Sequence, residues 1–476
     1  MTGLAALEAE LAHQLDLLNL PAKAWLTPKP GVVDVAIIGG GLSGLCAAAA
    51  LRFIGLGNIV LLDRAPAGRE GPWVTYARMR TLRTAKEITG PALGVPALTP
   101  RAWFEAQFGA RAWTALDRIP RAMWMEYLVW YRRVLDLPVR NDTEVTAITP
   151  QPDGLLALGI AGQAAPVLAR RVVLATGLDG LGAPYVPPVV KGIDRRFWAH
   201  SADDIDMTAL VGKRVGVVGA GASAMDNAAA ALEAGAASVD LLIRRDAIPR
   251  MDRLGAIAGR GTAYGFQDLP AEVKWSLFRQ AQQAQLPPPR HSVLRVSSHA
   301  NARFHVGSPI EALSVRAGAL LARTPKGDVA LDFLIFATGF AIDIDARPEL
   351  AVIGPHIRRW ADTHRPEAGR EDAGLAAHPD LGPGFELQER VPGACPALQH
   401  ISAFNYPAVL THGKLTSGIP SVAIGAQRLA EGLARSLYVE DVDDLQARFA
   451  AYDKAELNGD EWMPAPNPSD SEPAHA

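Results

Sequence analysis

The chain has only two cysteines, Cys46 and Cys395, far apart and in no Cys-x-x-Cys motif. That excludes a dithiol redox centre and a disulfide scaffold, and it fits a reducing, cytoplasmic compartment. Cys46 reads as a small apolar residue inside a helix. An excess of one charge is also missing. Lys and Arg number 47 against 50 Asp and Glu, a net charge of −3, which gives no electrostatic case for nucleic acid or an anionic membrane surface. No uninterrupted apolar run reaches spanning length, so no membrane span is expected. The first residues carry Glu8, Glu10 and Asp16 with no basic stretch before their leucines, which argues against a signal peptide. No Ser-His-Asp or paired-carboxylate pattern stands out. Arg290, His291 and His299 have poor spacing for a metal and no acid cluster beside them, so they read as surface and no metal is expected.

What the chain does have is two glycine-rich turns, each set between a strand and a helix. The first is Gly39-Gly40-Gly41-Leu42-Ser43-Gly44, after Val33, Val35, Ile37 and Ile38 and before an Ala/Leu-rich stretch. Its next strand, Ile59 to Leu62, ends at Asp63. The second is Gly219-Ala220-Gly221-Ala222-Ser223-Ala224, and its next strand, Val239 to Ile243, ends in Arg244 and Arg245. The missing side chains let the backbone approach a pyrophosphate seated on the helix N-terminus. An acid at the strand end accepts hydrogen bonds from a ribose 2′-hydroxyl, and an arginine there binds a 2′-phosphate. The first unit is therefore expected to hold FAD through Gly39, Gly41, Gly44 and Asp63. The second is expected to hold NADPH through Gly219, Gly221, Ser223, Ala224, Arg244 and Arg245.

The remaining patterns give the organisation. Leu4, Leu7, Leu11, Leu15 and Leu18 recur at helical spacing, a stripe for the body of the protein that leaves a homodimer open. Residues 1–30 read as this helix and a linker, 31–190 as the first part of the FAD-binding domain, and 191–340 as the NADPH-binding domain. Residues 341–462 return to the FAD-binding domain, and a Pro-, Ser- and Asp-rich tail over 463–476 is expected to be disordered. The fold class is α/β: two Rossmann-like dinucleotide-binding domains, the second inserted in the first. Residues 71–120 read as a long irregular segment of the kind that is usually functional. Crossings near Tyr185 to Pro188 and near Gly339 are candidate hinges for rotation of the insert.

These residues resemble the class B flavoprotein monooxygenases, the group of flavin-containing, N-hydroxylating and Baeyer–Villiger enzymes, from about Val33 to about Leu437. Gly71-Pro72-Trp73 looks like the family's Gly-x-Trp segment, and Thr84 to Glu87 resembles the stretch after it. Ala175-Thr176-Gly177 and Ala337-Thr338-Gly339 match the strand-ending pairs, and Asp332 to Phe340 and Thr411-His412-Gly413 resemble segments of N-hydroxylases. The family's linker motif survives only at His200: Asp194, Arg196 and Asp204 stand where Phe, Gly and an aromatic belong. The resemblance implies cofactor contacts from Arg64, Trp73, Lys86, Val145, Thr176, Gly177, His200, Ser201, Thr338 and Gly339. It implies a catalytic neighbourhood of Arg83, Asn405 and His412.

The activity so implied uses NADPH and O2, with a small organic substrate oxygenated through a C4a-(hydro)peroxyflavin. Nitrogen or sulfur is the favoured acceptor. Arg83, placed where amine-oxidising relatives have Asn, keeps Baeyer–Villiger oxidation of a ketone as an alternative, and a non-oxygenating flavin reductase or dehydrogenase is a further one.

Overall fold

In the computed structural model, which describes residues 3–465 and 467, the leucine stripe forms helix α1 (Leu4–Leu17). Most of the tail expected over 463–476 therefore lies outside the described residues. Helix α1 buries Leu11, and its Glu8 accepts from the Trp130 indole at 3.1 Å and pairs with Arg133. The first Rossmann unit follows as β1 (Val32–Ile38), α2 (Leu42–Phe53) and β2 (Ile59–Leu62). Val35, Ile37 and Ile38 of β1 and the alanines of α2 are buried, as a parallel sheet covered by a helix requires.

The long segment after β2 has little regular structure until α3 (Pro100–Phe108), α4 (Ala110–Ala115) and α5 (Arg121–Val134). Then come β3 (Val139–Arg140), β4 (Val145–Pro150), β5 (Leu156–Ile160) and β6 (Val167–Leu174). The sheet order is β3-β2-β1-β6-β5-β4, parallel around β1 and antiparallel from β6 to β4.

Beyond β7 (Gly182–Pro184) and β8 (Trp198–His200), the second unit runs β9 (Arg214–Val218), α6 (Ala222–Ala234) and β10 (Ser238–Leu242). Helices α7 (Arg260–Gly265), α8 (Ala271–Ala284) and α9 (Arg290–Ser297) precede β11 (Ala302–His305). A meander of β12 (Ala312–Arg316), β13 (Ala319–Thr324) and β14 (Gly327–Leu331) leads to β15 (Phe333–Phe336) and β16 (Phe340–Ile342). The five-stranded parallel order is β11-β10-β9-β15-β8. Strands β7 and β16 pair antiparallel, Ala183 opposite Ala341, so the chain enters and leaves the insert through one short ribbon. The expected architecture, one Rossmann-like unit inserted in another, is the one observed.

The C-terminal part adds α10 (Trp360–Thr363), α11 (Ala373–Ala376), β17 (Ile401–Ser402), α12 (Val409–His412), α13 (Val422–Glu440) and α14 (Val442–Ala451). Strand β17 joins the first sheet beside β6. Helix α8 and the turn after α7 pack on the C-terminal part. Phe266, Trp275 and Phe278 form one apolar cluster with Trp360, Leu375, Val409 and Leu410 of the C-terminal part. The chain divides into two compact units, one ending at Ala434 and one starting at Arg435. In the second, α14 buries no residue.

Candidate functional site

The first turn is closed by contact. Gly39 has φ 110°, and a Cβ there would lie 2.5 Å from the Ala175 carbonyl oxygen; a Cβ on Gly44 would collide with the Gly39 carbonyl. Gly41 begins α2 with no side-chain cap, so the first-turn N–H groups stay available to an anion. Asp63 is buried at the end of β2, where it accepts from Gly40 N–H at 2.6 Å and Ala65 N–H at 2.7 Å. Arg64 is exposed beside it. Val145 is buried at the start of β4, and the Thr143 N–H two residues before it donates to the Asp63 carbonyl at 2.8 Å.

A cavity of about 510 Å³ opens on Gly40 and Gly41 and is lined by Glu70, Met125, Leu128 and Arg132. Glu70 is buried there, bonded by Arg132 (3.0 Å), Asn141 (2.6 Å) and the Gly68 N–H (2.8 Å). Sequence reasoning missed this group. Its one signal was an acid directly before Gly71-Pro72-Trp73.

Trp73 meets Trp124 edge-on at 6.0 Å, and its indole N–H is buried without a partner among the described residues. Gly71 lies 3.9 Å from a Cβ placed on Gly41, so this segment passes over the first turn. Lys86 points elsewhere: its ammonium donates to the Trp113 carbonyl at 2.7 Å and Thr114 at 3.3 Å, and also to Leu116, at the end of α4. Arg83 pairs with Asp226 of α6 at 2.9 Å.

The third strand end and the C-terminal part converge on the same turn. The Asn405 amide donates to Thr176 Oγ1 at 3.3 Å, and Thr176 donates to the Gly180 carbonyl. Thr416 Oγ1 donates to the Asn405 carbonyl at 2.6 Å, and Ser43 of the glycine turn donates to the Thr416 carbonyl at 2.6 Å. Asn405 is fully buried with its Oδ1 unpartnered among the described residues. Ser43 and Thr416 were not singled out from sequence, since their link spans most of the chain. Gly177 takes φ 82°.

His412 stands apart from this cluster. It is fully buried, stacked on Phe385 at 4.0 Å, with Nε2 against the Gly382 carbonyl at 3.0 Å and Nδ1 facing Arg428. Burial, helped by the Arg428 charge, pushes its pKa down to about 3, so the ring is neutral. Phe385 itself adopts φ 69°, a rare backbone for a bulky residue.

The second turn repeats the first with one methyl more. Gly219 has φ 134°, and a Cβ there would lie 2.8 Å from the Ala337 carbonyl and 3.3 Å from the Ala224 Cβ. Gly221 begins α6 uncapped, with Ser223 exposed in the first turn. Arg244 is exposed past the end of β10, and Arg245 has a buried Nε without a partner among the described residues.

His200 and Ser201 lie at the end of β8, beside the ribbon. His200 Nδ1 accepts from Ala202 N–H at 3.1 Å, and its ring meets Phe340 at 5.8 Å. Burial lowers its pKa, against the opposing pull of Asp203 and the Gly339 main chain. Ser201 N–H donates to the Phe336 carbonyl at 2.9 Å. Thr338 donates its hydroxyl to the Tyr185 carbonyl, and Tyr185 N–H donates back to Gly339, which has φ 80°. The departing residues have local jobs: Asp194 caps a short helical turn through Arg196 N–H, and Asp204 lies 3.9 Å from Arg69.

Both glycine turns thus offer an uncapped helix N-terminus that a side chain would obstruct, and unpartnered polar atoms of Trp73, Asn405 and Arg245 stand at or beside them. This donor set fits two dinucleotides. Neither cysteine offers redox chemistry: both are buried and free, and burial raises the Cys46 thiol. Among the described residues no cluster of His, Cys, Asp or Glu could hold a metal, and no helix is long and apolar enough to cross a membrane.

Comparison with known proteins agrees with this geometry. A family described as pyridine nucleotide-disulphide oxidoreductase matches residues 36–255. The FAD-dependent urate hydroxylase of Xanthomonas campestris pv. campestris is 41% identical over 466 residues, 97% of this chain and 98% of that one. Among solved structures, an ornithine N-hydroxylase from Kutzneria sp. 744 superposes with a TM-score of 0.66 at 17% identity, over 85% of this chain and 99% of that one. An L-lysine 6-monooxygenase from Pseudomonas syringae gives the same values. A flavin-containing monooxygenase from Stenotrophomonas maltophilia is 22% identical, with a TM-score of 0.52 over 86% and 99%. At these identities the solved structures share the fold.

Proposed function

This chain belongs to the family of the Xanthomonas FAD-dependent urate hydroxylase, and on that premise we propose that it uses NADPH and O2 to hydroxylate urate or a closely related electron-rich purine. It is an FAD-dependent oxidoreductase of the monooxygenase type. The observation that carries the reading is the pair of glycine turns with opposite strand ends, Asp63 in one and Arg244-Arg245 in the other, joined through one ribbon. When bound, FAD supplies the redox chemistry, accepting hydride from NADPH and activating O2.

The chain's own residues bind and orient. The uncapped first-turn N–H groups of α2 and α6 would hold the two pyrophosphates, and the arginines after β10 would hold the 2′-phosphate. Asp63 holds the first turn in shape through Gly40 and Ala65 and keeps lone pairs for a ribose. Trp73 and the buried Asn405–Thr176 pair offer one free donor and one free acceptor near the first turn. Water exclusion is the other task, and the fully buried C-terminal segment around Phe404 and Asn405 supplies one wall.

The sequence favours nitrogen or sulfur as oxygen acceptor; the relative's substrate, urate, moves the preference to an electron-rich purine. Arg83, the residue that argued for ketone chemistry, is bound to Asp226 of α6 at 2.9 Å, so its guanidinium is tied to the second nucleotide unit. The absence of a cysteine pair speaks against disulfide reduction despite the family's name.

The test is a substrate panel in aerated buffer. Urate should stimulate NADPH oxidation by about tenfold or more, while primary amines, thioethers and cyclic ketones should not. Stimulation by a ketone or an amine in place of urate would overturn the substrate assignment.

A further inference from the structure

Four arginines of one irregular segment reach across to the inserted unit. Arg69 lies 3.9 Å from Asp204, Arg78 donates to the Ile205 carbonyl at 3.1 Å, Arg80 pairs with Glu233 at 3.1 Å, and Arg83 pairs with Asp226 at 2.9 Å. Three of these partners are at least partly exposed, where such pairs hold little. Asp226 differs. Its side chain is 1% exposed, in the second turn of the helix that the second glycine turn begins. A buried carboxylate must be matched, and three groups match it: Arg83 on Oδ2, Ser292 on Oδ1 at 2.8 Å, and Arg295 at 3.5 Å. Ser292 and Arg295 belong to the insert itself. Among the described residues, Arg83 is the one partner from the first nucleotide unit.

The other end of the same segment touches the first turn, where Gly71 passes over Gly41. Between the ends, Arg121 of α5 holds the Trp73 and Met79 carbonyls. Residues 71–83 therefore run from the turn of one nucleotide unit to the helix of the other.

We propose that Asp226 is a positioning residue that, through Arg83, fixes segment 71–83 and so sets the alignment of the two nucleotide sites for hydride transfer. This rests on the reading that NADPH reduces bound FAD: a hydride leaves NADPH with both electrons of its C–H bond, giving NADP⁺ and a reduced flavin. Asp226 is buried in α6, outside both glycine turns. It acts on the segment that lies between them.

The test uses the holoenzyme with Asp226→Asn, Arg83→Gln and the double variant, and with Arg83→Lys as the conservative replacement. Arg83 is 41% exposed, so its variants keep the test open even where Asp226→Asn fails to fold. The first readout is amide hydrogen exchange in residues 71–83 without nucleotide. Each single variant should speed it, and the double should be no faster than the singles. The second is anaerobic reduction at saturating NADPH. Each single should be slowed about tenfold with NADPH affinity held within about threefold, the double should be no slower, and Arg83→Lys should recover part of the loss. Exchange and reduction at wild-type levels in the singles, or effects that multiply in the double, would overturn the proposal. A wild-type flavin that NADPH does not reduce would instead overturn the functional reading, and the exchange measurement would still decide the role of the pair.

Discussion

The two Rossmann units share a turn and differ in what surrounds it. In the first, Gly44 leaves no room for a methyl group; in the second, Ala224 occupies the same place and is tolerated. In the first, Asp63 is already bonded to two backbone N–H groups and buried. In the second, Arg244 and Arg245 stand without a carboxylate partner among the described residues. The first turn is further closed by Gly71 from above and by Ser43–Thr416 from the C-terminal part. One backbone device thus serves both units, while the neighbours enclose the first turn and leave the second more open. On the functional reading proposed above, the strand-end residue would select the ribose and the surrounding chain would set the residence.

The sharpest way to break this contrast is a carboxylate in each turn. Gly41→Asp has space, since only Gly71 lies within 4 Å of its Cβ, but it places a negative charge against the pyrophosphate. It should yield folded protein without flavin, read from the visible spectrum. Gly221→Asp should keep full flavin and raise the NADPH KM by about 100-fold or more. Flavin loss from the second variant, or flavin retention in the first, would erase the distinction.

A smaller effect should follow at the strand ends. Replacing Arg244 and Arg245 by Ser should cost about 10–100-fold in kcat/KM for NADPH and leave NADH nearly unchanged, because a charge-assisted phosphate contact contributes about 1.5–3 kcal/mol. Steady-state kinetics with both nucleotides measure it, and equal losses for both would contradict the 2′-phosphate assignment.

The smallest asymmetry concerns acid. His378 and His412 are buried in the C-terminal part of the first unit, and burial pushes their pKa values down to about 4 and about 3. Each is neutral in the fold, whereas the unfolded chain takes up a proton near the ordinary 6.5. Stability is therefore whole above that value and falls as pH drops through the window toward 4, by about 1.4 kcal/mol per pH unit for each histidine. Denaturant midpoints between pH 7.5 and 5 should show this slope, and His378→Asn should flatten it.

The glycine turns, their strands and the opposed strand ends were legible because each signal is local, within some two dozen residues. The groups that meet across the fold were not. Asn405, Thr176, Thr416 and Ser43 come together from positions up to 373 apart, and nothing in any one of their segments announces the others. His412 lay in a recognisable Thr-His-Gly run, yet the run does not say where the ring points; here it points into the core. The packing of Phe266 and Trp275 was not legible either, because the C-terminal residues they meet, Trp360, Leu375, Val409 and Leu410, lie about a hundred residues on. Arg83 was visible as an unusual residue, while its partner Asp226 sat unremarked in an alanine-rich helix.

The central claim, an FAD-dependent hydroxylase that takes reducing power from NADPH and oxygen from O2, is tested most directly by isotope-labelled O2. Turnover of urate with NADPH under labelled gas should give product carrying one labelled oxygen atom, with one NADPH consumed for each urate. Unlabelled product, or NADPH oxidation that urate does not stimulate, would contradict it.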